Sequence, residues 1–171
     1  NTATARTTPT LNAGIGAGAN IASGRDVSIV NRSTGDAQAD ATGLSVGGIG
    51  AIGGSGAEAR VRPVMNTTIG AADVTAQRNL SVLASHNHSG GGADGHDAVS
   101  NANASGGAGG FTGVGATSTA IASADMSTRI GGTGADIAAQ TGNLSIATRS
   151  GDRATANGYG IAIGGLAGLG N

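Results

Sequence analysis

The chain has 171 residues, 34 of them Gly and 33 Ala, with nine Arg, no Lys, no Cys and a formal net charge of −1. Ile, Leu and Val number only 28, and Phe111 and Tyr159 are the sole aromatics, which argues against helical bundles and doubly wound sheets because both pack on bulky side chains. The near-neutral charge argues against a self-repelling disordered chain, the scattered arginines form no basic stripe for nucleic acid or membrane, and the missing Cys removes disulfides and thiolate zinc sites.

No apolar run approaches the ~20 residues of a membrane span. The chain opens at Asn1 without a signal-like start, so a slice of a longer polypeptide is expected. In chain order, the first recognisable element is IGAGANIASGRDVSI from Ile15, with an anchor at Asp26. Val27-Ser28-Ile29 alternates as a strand does, and the Asn, Asp and Gly around it suit tight turns. The second, IGAADVTAQRNLSV from Ile69, places its anchor at Asn79 and ends in Leu80-Ser81-Val82. The third, IGGTGADIAAQTGNLSI from Ile130, has its anchor at Asn143 and carries Leu144-Ser145-Ile146.

These are copies of one unit. Asp26 to Gly53 lies over Asn143 to Gly170 without a gap, with Ser28/Ser145, Ile29/Ile146, Arg32/Arg149 and Gly47/Gly164 identical. The anchors are 53 and 64 residues apart, and the excess is assigned to a loop insertion at about 86–110. Fixed-period similarity of this kind points to a solenoid. The fold class expected is all-β, a parallel β-helix spanning 1–171 as a single segment. Each unit is read as three coils of ~19–20 residues, giving nine coils and a rod on the order of 40 Å long. The aliphatics Val27, Ile29, Leu80, Val82, Leu144 and Ile146 should stack inward, with Ser28, Ser81 and Ser145 outward.

IGAGANIASGRDVSI, the ANASGGAGG tract and GGIGAIGG resemble the β-solenoid stalks of giant bacterial surface proteins, the filamentous-haemagglutinin-like exoproteins and adhesins. The resemblance implies a right-handed parallel β-helix, an extracellular or cell-surface location, and a role in adhesion or in a fibre. Partners implied are other copies or repeats of the chain, or a host or neighbouring cell surface or polysaccharide.

Residues with chemical potential are few. The insertion holds His86, His88 and His96 with Asp94 and Asp97. Imidazoles beside carboxylates are a transition-metal donor set, but the run Ser89-Gly90-Gly91-Gly92 makes a solvated loop the expected reading. GGADGHDAV approaches a calcium-binding nonapeptide through Gly95, Asp97 and Val99, yet as one imperfect copy it lacks the partner turn that motif needs. Gly47-Gly48, Gly106-Gly107 and the GIGAGA run at Gly14 precede no Lys-Ser/Thr and are read as coil corners rather than phosphate cradles. Six Asn-x-Ser/Thr sequons, at Asn31, Asn66, Asn79, Asn87, Asn103 and Asn143, are ascribed to composition.

No catalytic, cofactor-binding or metal-ligating residue is therefore expected, and no cofactor, nucleic-acid partner or membrane insertion. The function expected is a non-catalytic rod or stalk segment of a filament or adhesin. A polysaccharide-binding or polysaccharide-degrading β-helix is the alternative, although the ten acids are spread and aromatic platforms are scarce. An ice-binding solenoid is the second alternative; Thr2-Ala3-Thr4 and Thr117-Ser118-Thr119 do not recur at the anchor period.

Overall fold

The computed structural model describes residues 1–95 and 97–170, the last four by backbone alone. Among them every regular element is a strand. The first layer comprises β1 (Thr2–Thr7), β2 (Thr10–Ile15), β3 (Asn20–Ser23), β4 (Val27–Ser33) and β5 (Ala37–Gly47). The second comprises β6 (Gly50–Val61), β7 (Val64–Ile69), β8 (Asp73–Ala76), β9 (Leu80–His86), a small hairpin of β10 (His88–Ser89) and β11 (Gly92–Ala93), and β12 (Ala98–Ala108). The third comprises β13 (Phe111–Ala122), β14 (Asp125–Ile130), β15 (Asp136–Ala139), β16 (Leu144–Ser150) and β17 (Ala154–Gly164), after which β18 (Ala167–Gly170) returns over β13.

Equivalent strands stack in parallel. Val27 pairs with Leu80 and Leu80 with Leu144, so the anchor spacings read in the sequence are the pairing offsets themselves. Five multi-layer sheets result, ordered β1-β6-β13-β18, β17-β12-β5, β14-β7-β2, β15-β8-β3 and β16-β9-β4.

This register corrects the expected coil count. A coil of ~19 residues pairs residues ~19 apart. Here the parallel partners lie a whole repeat apart, as in Thr2 with Gly56 and Ala98 with Ala154. The chain makes three wide layers in place of nine narrow coils. At ~4.8 Å per layer the stack is on the order of 15 Å deep rather than 40 Å. Narrow coils also imply short strands of three to five residues between tight turns, whereas AQADATGLSVG alternates without a break and forms the eleven-residue β5.

Each layer is a flattened loop. β5 packs on β6 and β12 on β13, while β2 packs on β4, β7 on β9 and β14 on β16. One end of the loop turns through β3, β8 and β15; the other turns at Gly48–Ile49, Gly109–Gly110 and Gly165–Leu166. Two cores fill it. Towards β3, β8 and β15, Ile69, Val74, Leu80 and Val82 form an aliphatic cluster with Val27, Ile29 and Ile130. Along the long strands the interior is Ala37, Ala39, Ala41, Ala57, Ala59, Ala98 and Ala102 with Val61.

The small side chains follow from the closeness of the two long sheets. A Cβ on Gly43 would stand 2.8 Å from the Gly54 carbonyl oxygen. Ser100 Oγ, fully buried, donates to the Ala57 carbonyl across the gap at 2.8 Å, and Ser55 Oγ to Asn103 O at 2.6 Å. Larger residues would force the sheets apart and break these bonds.

The inward stack of aliphatics has the expected register, with graded burial. Leu80 is 0% exposed, whereas Leu144 is 48% and Ile146 52% exposed. In this sheet the outer strands β4 and β16 have a neighbour on one side only. Ser28, Ser81 and Ser145 face outward, and Ser81 Oγ donates to Ser28 Oγ at 3.0 Å.

The insertion is shorter than 86–110. Three residues, 34–36, link β4 to β5, and eleven, 87–97, link β9 to β12. Residues 98–108 are a regular strand paired on both sides, to β5 and β17. Eight surplus residues therefore sit in 87–97, and the remaining three of the eleven between the anchor spacings fall in 131–135 and 140–143. Gly106-Gly107 lies inside β12 rather than at a corner; the corner is Gly109–Gly110.

Candidate functional site

The insertion is tied to the first layer by its first residue. Asn87, at φ 46, takes a left-handed conformation that Asn tolerates well. Its Oδ1 accepts from Gly35 N–H at 2.8 Å and its Nδ2 donates to Gly35 O at 3.0 Å, so this amide occupies the place of the missing strand neighbour. Beyond it β10 and β11 form an antiparallel hairpin around Gly90–Gly91, with Asp94 N–H donating to Asn87 O at 2.8 Å.

The two described histidines of this segment lie in different settings. His86 is fully buried, its Nε2 3.4 Å from Asp152 Oδ1 in the next layer. His88 lies in the hairpin, where Ser85 Oγ donates to its carbonyl. Asp94 accepts from Ser89 Oγ, while the Asp97 N–H donates to Asp36 Oδ1 at 2.9 Å and its Oδ2 is 3.9 Å from Arg153 Nε. His96 lies outside the described residues. Among the described residues no three His, Asp or Glu side chains converge as a metal site. Asp97 of the nonapeptide-like stretch is engaged with Asp36 and Arg153 rather than with a second copy of such a motif.

Two polar ladders run across the layers. At the anchor corner the Asn79 backbone N–H and its Nδ2 both donate to Asp26 Oδ1 at 2.9 Å, and Asn143 N–H donates to Asn79 Oδ1 at 3.1 Å. On the outward face of the long sheet Asn157 Nδ2 donates to Asn101 Oδ1 at 2.9 Å, and Asn101 Nδ2 to Asp40 Oδ1 at 2.7 Å. Both ladders start from a carboxylate in the first layer and continue as amides. Donation from Asn79, first from its backbone N–H, holds the Asp26 carboxyl below its ordinary value; donation from Asn101, then Gln38, does so for Asp40. The signal for the anchor ladder was present in the sequence, as Asp26/Asn79/Asn143 at every anchor.

A third cluster lies on the outward face of β1 and β6. Glu58 accepts from Arg6 Nη2 at 2.9 Å and pairs with Arg60, and the Arg6 hydrogen bond is the main cause of its lowered carboxyl pKa. Beside it, Thr2 and Thr117 flank Gly56, and Thr4 and Thr119 flank Glu58, in successive layers. The two Thr-x-Thr segments thus occupy equivalent positions, which the anchor period alone concealed. The middle layer interrupts them with a glycine and an ion pair.

The sequons divide by burial: Asn31 and Asn87 are buried, the former donating to Leu11 O and Asn66 O. Concavities are shallow; an apolar one of about 550 Å³ is lined by Gly50, Ala51, Ile52, Phe111, Thr112 and Gly113. The first and third layers present strand edges with unpaired backbone groups, apart from the stretch of β13 that β18 covers. No known protein family, curated protein or solved structure matches this chain.

Proposed function

We propose that the chain is a non-catalytic structural segment of an extracellular filament or surface adhesin, a wide solenoid stalk that associates through its strand edges. The observation that carries the reading is the in-register stacking of whole repeats, with half-covered aliphatics such as Leu144 and Ile146 on an outer layer. An edge strand is a template for further pairing, and a further layer would bury those side chains as Leu80 is buried. A right-handed winding belongs to this reading, since parallel crossover connections are right-handed in nearly all sheets. So does the likeness of the repeats to exoprotein stalks, which supplies the surface location.

Sedimentation and fibre diffraction test it. The expected outcome is concentration-dependent growth into filaments with a reflection at ~4.8 Å along the fibre axis, the spacing of stacked strands. A strictly monomeric species at high concentration would overturn it. Polysaccharide cleavage abolished by replacing one acid would overturn the non-catalytic part.

A further inference from the structure

The outward face of β5, β12 and β17 changes character along its length. Near β4 and β9 it is polar, with the Asp40–Asn101–Asn157 ladder. Towards the Gly48–Ile49 turn its outward positions are Leu44 and Val46 in the first layer, Ser105 and Gly107 in the second, Ile161 and Ile163 in the third. Leu44 is 76% exposed, Val46 77% and Ile163 70%. With layers ~4.8 Å apart, two apolar ridges stand ~10 Å from each other across a trough one strand wide. The floor of the trough is Ser105 and Gly107. Ile49, Tyr159 and Leu166 continue the exposed apolar surface at its margin.

Single exposed aliphatics need no explanation, but a contiguous patch with a polar border marks an interface. We propose that two copies of the chain pair side by side on this face, about a two-fold axis along the strands, the Leu44–Val46 ridge of each seated in the Ser105–Gly107 trough of the other. The pairing rests on the reading of the chain as a fibre element and deepens it by naming a lateral surface distinct from the strand edges. Three observations select a second copy as occupant. Residues 41–57, 98–124 and 154–166, which build this end, contain no charged side chain, so a charged partner would lose water without gaining a counter-charge. A ridge one strand wide matches a trough one strand wide, as identical sheets interdigitate in dry interfaces. Seven side chains presenting on the order of 100 Å² each supply ~700 Å², close to the ~800 Å² that each partner gives to a standard interface.

The absence of Cys makes a single-cysteine experiment clean. Ser105→Cys should be captured as a dimer by a short bismaleimide, while Thr117→Cys, on the outward face of the opposite long sheet, should not. Gly107→Gln adds a side chain where a Cβ meets only Ile163 O at 3.9 Å; it should keep the circular dichroism spectrum and weaken pairing at least tenfold. Val46→Ser reads the ridge in the same way should Gly107→Gln misfold. Failure of Ser105→Cys to cross-link, undiminished pairing in the trough and ridge variants, or flotation with phosphatidylcholine vesicles in place of pairing would each overturn the proposal. Filaments without the Ser105 cross-link would remove lateral pairing alone, and the cross-link without filaments would remove edge stacking alone.

Discussion

At the residue scale, the ladders tie stability to pH. Asp26, Asp40 and Glu58 have folded-state pKa values below their ordinary ones because Asn or Arg groups donate to the charged form. A depressed carboxyl stabilises fully above its unfolded value, and that contribution fades as pH falls through the folded one. Thermal midpoints should therefore drop as pH is lowered below about 4, where free carboxyls titrate. Asp26→Asn with Asp40→Asn, which makes both ladders amides throughout, should flatten that acid limb in a series of melting curves. An equally steep limb in the double variant would show that the ladders do not set it. Burial makes a second residue-scale contrast. Leu80→Ala should cost about 3 kcal/mol in urea unfolding, as buried Leu truncations do. The equivalent Leu144→Ala, already 48% exposed, should cost less than half as much.

The element scale concerns the insertion and the sheet gap. Deleting residues 88–95 leaves 87, 96 and 97 between β9 and β12, the same three-residue link as 34–36 and 151–153. Asn87 and its two bonds to Gly35 are kept. The sheet circular dichroism signal should persist, because shortening a surface loop changes closure entropy little; its loss would show the hairpin to be integral to the layer. Within the long sheets, Gly43→Ala should destabilise by about 1–3 kcal/mol, since its Cβ would press on the Gly54 backbone. Gly107→Ala, on the same sheet facing outward, should be close to neutral in the same chemical denaturation assay.

At the scale of the whole molecule, the depth is three layers and the width a full repeat, so much of the chain lies in an outer layer. Leu80 is sealed while Leu144 and Ile146 are half exposed. Docking of another copy on an edge would add a neighbour to the folded state alone, and binding of that kind raises stability with concentration. The melting temperature should accordingly rise as the protein is concentrated, and a midpoint independent of concentration across a hundredfold range would count against edge stacking. Partners more than 50 residues apart in sequence, such as Val27 and Leu80, also make the contacts between layers non-local, which slows folding.

What was legible in the amino acids was periodicity. The recurrence of Asp26, Asn79 and Asn143 with aliphatic-Ser-aliphatic after them specified both the strand partners and the inward and outward faces, because stacked parallel strands repeat whatever the sequence repeats. The number of coils per repeat was not legible. Turn residues within a unit, such as Gly18 or Gly131, mark where the chain bends but not whether it closes a short coil or rounds the end of a long one. Only the tertiary structure decided that, by bringing β5 against β6 so closely that the gap is lined mainly by Ala, Gly and Ser. The apolar face was hidden for the same reason: Leu44 and Val46 look like core residues in the sequence, and they face solvent because the opposite side of β5 is the one that meets β6.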